Sequence, residues 1–74
     1  MMSIYIQRLI DLRTDSDLTQ KQVGAIINKS QQGYAHIENG KAQISVDDLI
    51  TLCNFYNISP EYVLGFTDEM RKLK

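Results

Sequence analysis

Seventy-four residues leave room for one small domain. With 43% hydrophobic and 23% charged residues the composition is globular rather than disordered, and so short a chain does not readily hold both a core and a deep catalytic pocket. The formal charge of −1 runs against the basic excess of most nucleic-acid binders, while a single cysteine, Cys53, and a single histidine, His36, leave neither a disulfide framework nor a metal-ligand cluster.

No apolar run approaches the ~18 residues of a membrane span, and no basic stretch followed by an apolar run marks a signal peptide. Lack of disulfides fits a reducing, cytoplasmic location. No cofactor, metal, membrane or small-molecule ligand is expected.

In chain order, Ile6, Leu9, Ile10 and Arg13 fall at i, i+3, i+4, i+7 and predict a first helix over about 4–14, closed by Asp15-Ser16-Asp17. Thr19 with Gln22 three residues later forms a capping-box pattern for a second helix over 19–27, with Val23, Ile26 and Ile27 inward and Asn28 as a left-handed terminator. Ser30 caps a third helix over 30–38 that buries Tyr34 and Ile37 and stops at Asn39-Gly40. Ser45 caps a fourth over 45–56, with Asp47 and Asp48 near its positive end and Leu49, Leu52, Cys53 and Tyr56 on its inner stripe. Ser59-Pro60 opens a short fifth helix over 60–65, ending at Gly65. Residues 67–74 read as a polar tail after a domain over 1–66. No stretch alternates with period two, so the fold class is all-α, a compact bundle of five helices.

The second and third helices, joined by so tight a turn, must cross steeply as a helix-turn-helix. Here a resemblance becomes specific. Leu18-Thr19-Gln20, Ile27-Asn28-Lys29-Ser30-Gln31-Gln32 and Ile37-Glu38-Asn39-Gly40-Lys41 resemble the XRE, or Cro/repressor, family. The likeness runs from Arg8-Leu9 and Leu12-Arg13 through Leu49 and Ile58-Ser59 to Leu64-Gly65. It implies a lambda-repressor-like fold whose third helix enters the DNA major groove, and a transcriptional regulator; with no catalytic constellation among the residues, no enzymatic activity is expected.

The physics of base reading fits these residues. Gln31 and Gln32 stand in the first turn of the third helix, where base-reading side chains sit. A glutamine amide offers donor and acceptor side by side, matching adenine N6 and N7, and one such pair discriminates by roughly 1–3 kcal/mol. His36 falls on the same face and can meet a base edge or, protonated, a phosphate or guanine. Each has a plainer reading as an ordinary solvated side chain; the capped helix before them favours the functional one. In the lambdoid repressors that the chain resembles, positions matching Gln31, Gln32 and His36 contact bases, and the one matching Gln20 contacts a phosphate and braces the first reading glutamine.

The resemblance implies backbone contacts from the loop after the third helix, through Lys41 and Gln43, and Lys29 adds a charge where the family carries an aliphatic residue. It also implies an ion pair between Arg13 and Glu38 that anchors the third helix. Two glycines depart from the family pattern. Gly24 stands for alanine where the helices cross. Gly33 either admits close approach of backbone or DNA, or softens the helix at a cost of up to about 1 kcal/mol.

A single reading helix spans only a few base pairs, so specificity calls for a homodimer on a near-palindromic double-stranded DNA operator. The family often pairs through the fifth helix, which here points to Tyr62, Val63 and Phe66. The alternative function is a protein-interaction module, such as the DNA-binding antitoxin of a toxin–antitoxin pair. Cys53 reads as a core thiol. Charge split along the chain reconciles the total with DNA: residues 19–43 hold Lys21, Lys29 and Lys41 against Glu38, whereas residues 44–70 hold five acidic residues and no basic one. One face is thus mildly positive and the far side acidic.

Overall fold

Five helices follow one another along the chain in a computed structural model of the protein, which describes residues 3–74. They are α1 (Ile4–Asp15), α2 (Gln20–Ile26), α3 (Gln31–Glu38), α4 (Val46–Tyr56) and α5 (Pro60–Leu64). No strand occurs among the described residues, and no helix there is long and apolar enough to cross a membrane. Residues 1 and 2 of the expected 1–66 unit lie outside the described residues.

Local chemistry sets where each helix begins. The hydroxyls of Thr19, Ser30, Ser45 and Ser59 accept hydrogen bonds from the backbone N–H groups of Gln22, Gly33, Asp48 and Tyr62. Each bond satisfies one donor that the helix leaves orphaned. At α2 the box is complete, because the Thr19 N–H donates in return to Gln22 Oε1 at 2.8 Å. Ser3 ahead of α1 makes no such bond.

All five helices end the same way. Asp17, Asn28, Gly40, Asn57 and Gly65 take up left-handed backbone with φ of 58°, 58°, 77°, 57° and 89°. The N–H of the next residue then reaches back five positions: Leu18 to Arg13 O, Lys29 to Gly24 O, Lys41 to His36 O, Ile58 to Cys53 O and Phe66 to Glu61 O. This paired closure returns the last carbonyls to partners and turns the chain sharply. Asn28, Gly40 and Gly65 were legible as terminators. Asn57, between the apolar end of α4 and the Ser59 cap, does the same work.

The core forms where the apolar faces meet. Leu9 from α1, Val23 from α2, Tyr34 and Ile37 from α3, Leu52 and Cys53 from α4 and Val63 from α5 are almost wholly withdrawn from water. The buried face of α1 runs through Ile6, Leu9 and Leu12, with Ile10 only half-buried. It is thus rotated from the expected Ile6-Leu9-Ile10 stripe. α1 packs on α3 and α5, and α2 lies against α3.

Residues 67–74 are not helical, but they are hydrogen-bonded to the domain. The Ser59 N–H donates to Arg71 O at 2.8 Å, and the Lys74 N–H donates to Asn57 Oδ1 at 3.1 Å. Arg8 closes the other side. Its Nη1 donates to Tyr62 O and, at 2.7 Å, to Thr67 O; Nη2 meets Asp68 at 3.0 Å, and the guanidinium lies 4.1 Å from the Tyr62 ring centroid.

Candidate nucleic-acid interface

The turn between α2 and α3 is four residues long, Ile27 to Ser30. In this chain it packs directly against Gly24, which carries no side chain. A Cβ there would stand 2.9 Å from Lys29 O and 3.1 Å from Ser30 O, both backbone atoms, and 3.2 Å from Tyr34 Cβ. An alanine there would require the backbone of the turn to shift.

That crossing presents the N-terminal turn of α3. Gln31 and Gln32 are exposed there, while Tyr34 and Ile37 on the opposite face are buried. His36 is half-buried. Gly33 lies between the two faces, and a Cβ on it would meet Ser30 Oγ at 3.3 Å and Lys29 Cβ at 3.8 Å. The contact is tight but not forbidding, so packing within the chain does not demand glycine.

Three helices are tied together behind this surface by one carboxylate. Glu38, at the end of α3, is 4% exposed. Arg13 of α1 donates through Nε to Oε2 at 2.8 Å and through Nη2 to Oε1 at 3.0 Å. Its Nη1 donates to Leu18 O at 3.0 Å. Gln20, the first residue of α2, donates through Nε2 to Glu38 Oε1 at 3.0 Å. Burial by itself pushes the Glu38 carboxyl upward, but the hydrogen bonds from Arg13 and Gln20 outweigh it and hold the group below its ordinary range. The same bond to Glu38 raises Arg13, so both stay charged.

The Tyr34 hydroxyl is buried beside this carboxylate without a hydrogen bond of good geometry, and burial, then Glu38, pushes it far upward. Burial likewise pushes Tyr56 up to about 12. Cys53 is buried, which raises its thiol and keeps it protonated and unreactive.

The remaining expected contacts are spread out. Lys41 and Gln43 are exposed on the loop after α3. Lys29 is exposed too, but its Nζ lies 3.8 Å from Asp48 Oδ2 of α4, which offsets part of its charge. The Gln20 amide nitrogen is taken by Glu38, the strongest acceptor within reach. Among the residues expected at a dimer contact, Val63 needs correction. It is 0% exposed, because the short α5 turns that side chain into the core, and it offers nothing to a second copy. Tyr62 is half-buried beneath Arg8, whereas Phe66 is 80% exposed.

Arg8 has a structural role that spacing does not announce. It lies within the segment that carries the resemblance, yet nothing local connects it to Tyr62, Thr67 or Asp68, more than fifty residues away.

A capped α2, a four-residue turn and an α3 whose first turn faces outward define a helix-turn-helix domain. The chain belongs to the XRE-type helix-turn-helix family, whose model matches residues 9–63. It is 33% identical over 66 residues to an uncharacterised HTH-type transcriptional regulator, YobD, of Bacillus subtilis (strain 168), a match covering 89% of this chain and 59% of that protein. It is 32% identical over 66 residues to the HTH-type transcriptional regulator ImmR of the same organism, covering 89% of this chain and 51% of that protein. The chain thus spans between about half and three fifths of the length of these curated relatives. No solved structure matches it significantly.

Proposed function

We propose that this chain is a sequence-specific double-stranded DNA-binding transcriptional regulator, acting as a repressor in the bacterial cytoplasm. The observation that carries the reading is the outward first turn of α3, with Gln31 and Gln32 exposed on a helix whose far end is locked to α1 and α2 through Glu38. Rigid presentation matters because base discrimination needs side chains held in register with the groove. In this reading Gln31, Gln32 and His36 meet base edges, and Lys29, Lys41 and Gln43 meet phosphates.

The charge pattern supports the same face. Lys21, Lys29 and Lys41 lie on or beside the two helices of the motif; of the acidic residues of α4 and α5, Asp48 stands 3.8 Å from Lys29 and offsets part of that charge. Few lysines mean few released counterions, so affinity depends on base contacts and on pairing of two copies. Two copies on a near-palindromic operator would place their α3 helices one DNA turn apart, and the exposed Phe66 with Tyr62 at the end of α5 is the surface proposed to join them.

Selection of binding sites from random duplex DNA by the purified chain tests this directly. Enrichment of an inverted repeat is the expected outcome. Absence of any enriched sequence overturns the reading and leaves protein interaction as the function of the fold.

A further inference from the structure

The lysines on and beside the motif are not equivalent. Lys21 and Lys41 are exposed and make no ion pair among the described residues, whereas the Lys29 ammonium lies 3.8 Å from Asp48 Oδ2. Lys29 stands in the turn just ahead of the Ser30 cap, its Cβ beside Gly33 in the first turn of α3. Asp48 belongs to the first turn of α4, where its backbone N–H donates to Ser45 Oγ at 3.1 Å. The two side chains are 39% and 24% exposed, so the carboxylate is partly sheltered while the ammonium stays open to another anion. At 3.8 Å the groups attract without a close hydrogen bond, which leaves the lysine exchangeable.

We propose that Asp48 competes with the DNA backbone for Lys29, and thereby sets how strongly the chain is drawn to duplex of any sequence. A phosphate that reaches Lys29 must first displace the carboxylate. The counterion released from the duplex is then offset by the cation that the freed carboxylate attracts. Lys21 and Lys41 carry no such cost. Weaker attraction to the backbone leaves binding more dependent on the base contacts proposed for Gln31 and Gln32.

This inference rests on the DNA-binding function proposed above, and the experiments separate the two. Affinity is measured over a range of salt for a duplex selected by the wild-type chain and for an unrelated one. Asp48→Asn keeps the size of the side chain and removes its charge. Affinity for both duplexes is expected to rise alike, by about two- to fivefold, the worth of an exposed ion pair, and the salt slope to steepen by up to about 0.9. Unchanged or weaker affinity, or a gain confined to the selected duplex, overturns the role.

Removal of a carboxylate also lifts plain repulsion between protein and phosphate. The same change is therefore made in a Lys29→Met background, which keeps the apolar stem and loses the ammonium. There the gain should shrink. An equal gain in both backgrounds means that Asp48 merely repels the duplex, and overturns the competition.

A readout free of DNA tests the pair itself. In thermal unfolding at low salt the losses of Lys29→Met and Asp48→Asn should not add, because either change removes the same contact; additive losses overturn the proposal. If the wild-type chain binds no duplex, the DNA-binding function falls and the competition with it, while the coupling between Lys29 and Asp48 still registers in the unfolding data.

Discussion

Arg13 and Glu38 face each other across α1 and α3 with two parallel hydrogen bonds, at 2.8 and 3.0 Å, and side chains only 16% and 4% exposed. A forked pair of this kind is geometrically demanding, and its value lies in what happens when one member leaves. Arg13→Met strands a buried carboxylate and should cost about 3–5 kcal/mol. The double variant Arg13→Met with Glu38→Leu should recover a large part of that loss. Urea unfolding of the four proteins measures the coupling, and additive losses would show that the pair is not a unit.

Stability should depend on pH through the same carboxylate. The folded Glu38 titrates below its ordinary value, held there by Arg13 and Gln20 against burial. The unfolded chain therefore takes up this proton more readily as pH falls. The stabilisation is complete above the ordinary carboxylate range of about 4.3 and disappears as pH drops through the folded value. At the alkaline end the sign reverses, because the buried tyrosines titrate late when folded. Stability should fall above about pH 10, where unfolded tyrosine ionises, with the share due to Tyr56 levelling off near its folded value of about 12. Thermal unfolding from acid to alkaline pH, repeated with Glu38→Gln, should show the acid limb reduced and the alkaline limb kept.

The two glycines of the motif should respond oppositely to alanine. At Gly24 the new methyl meets two backbone carbonyls, at 2.9 and 3.1 Å, which cannot rotate away. A loss of about 1–3 kcal/mol is expected, as for other overpacked sites. At Gly33 the nearest atom is the Ser30 hydroxyl at 3.3 Å, so the gain in helix propensity, up to about 1 kcal/mol, should outweigh a small shift of the cap. Weaker DNA binding by a stabilised Gly33→Ala variant would show that the duplex approaches the backbone there; unchanged affinity would remove that account.

Arg8 should govern the segment after α5. Arg8→Met keeps the apolar stem and deletes the bonds to Tyr62 O and Thr67 O, together with the contact to the Tyr62 ring. The pair with Asp68 adds little, because that carboxylate lies in water. A loss of about 1–3 kcal/mol is expected, chiefly from the Thr67 carbonyl left without a partner, since Tyr62 O keeps the Gly65 N–H. Faster amide exchange at residues 66–71 should accompany it, with α2 and α3 unaffected.

Side chains on the outward face of α3 should separate specificity from attraction. Gln31→Ala or Gln32→Ala should relax base preference at defined positions of a selected site by about 1–3 kcal/mol. Lys41→Ala should weaken all duplexes alike and reduce the salt slope by about one unit. Binding isotherms over a range of salt on matched and mismatched duplexes distinguish the two patterns.

Helix boundaries were legible because their causes are local. A hydroxyl at Thr19, Ser30, Ser45 or Ser59 reaches an N–H three residues on, and Asn28, Gly40 or Gly65 tolerates positive φ, whatever the rest of the chain does. Periodicity placed Tyr34 and Ile37 inside and Gln31 and Gln32 outside for the same reason, since all four share one helix. The pairing of Arg13 with Glu38 came from family resemblance, not from spacing.

What the sequence determined by itself was the set of helices, their caps and the residues offered by each face. Tertiary packing decided which faces met. It put Val63 in the core, swung Arg8 onto Tyr62 and Thr67, moved the inner stripe of α1 to Leu12 and turned the Gln20 amide onto Glu38. Each of these depends on atoms far apart in the chain, brought together only when five short helices share one small core, and no helical period encodes such distances.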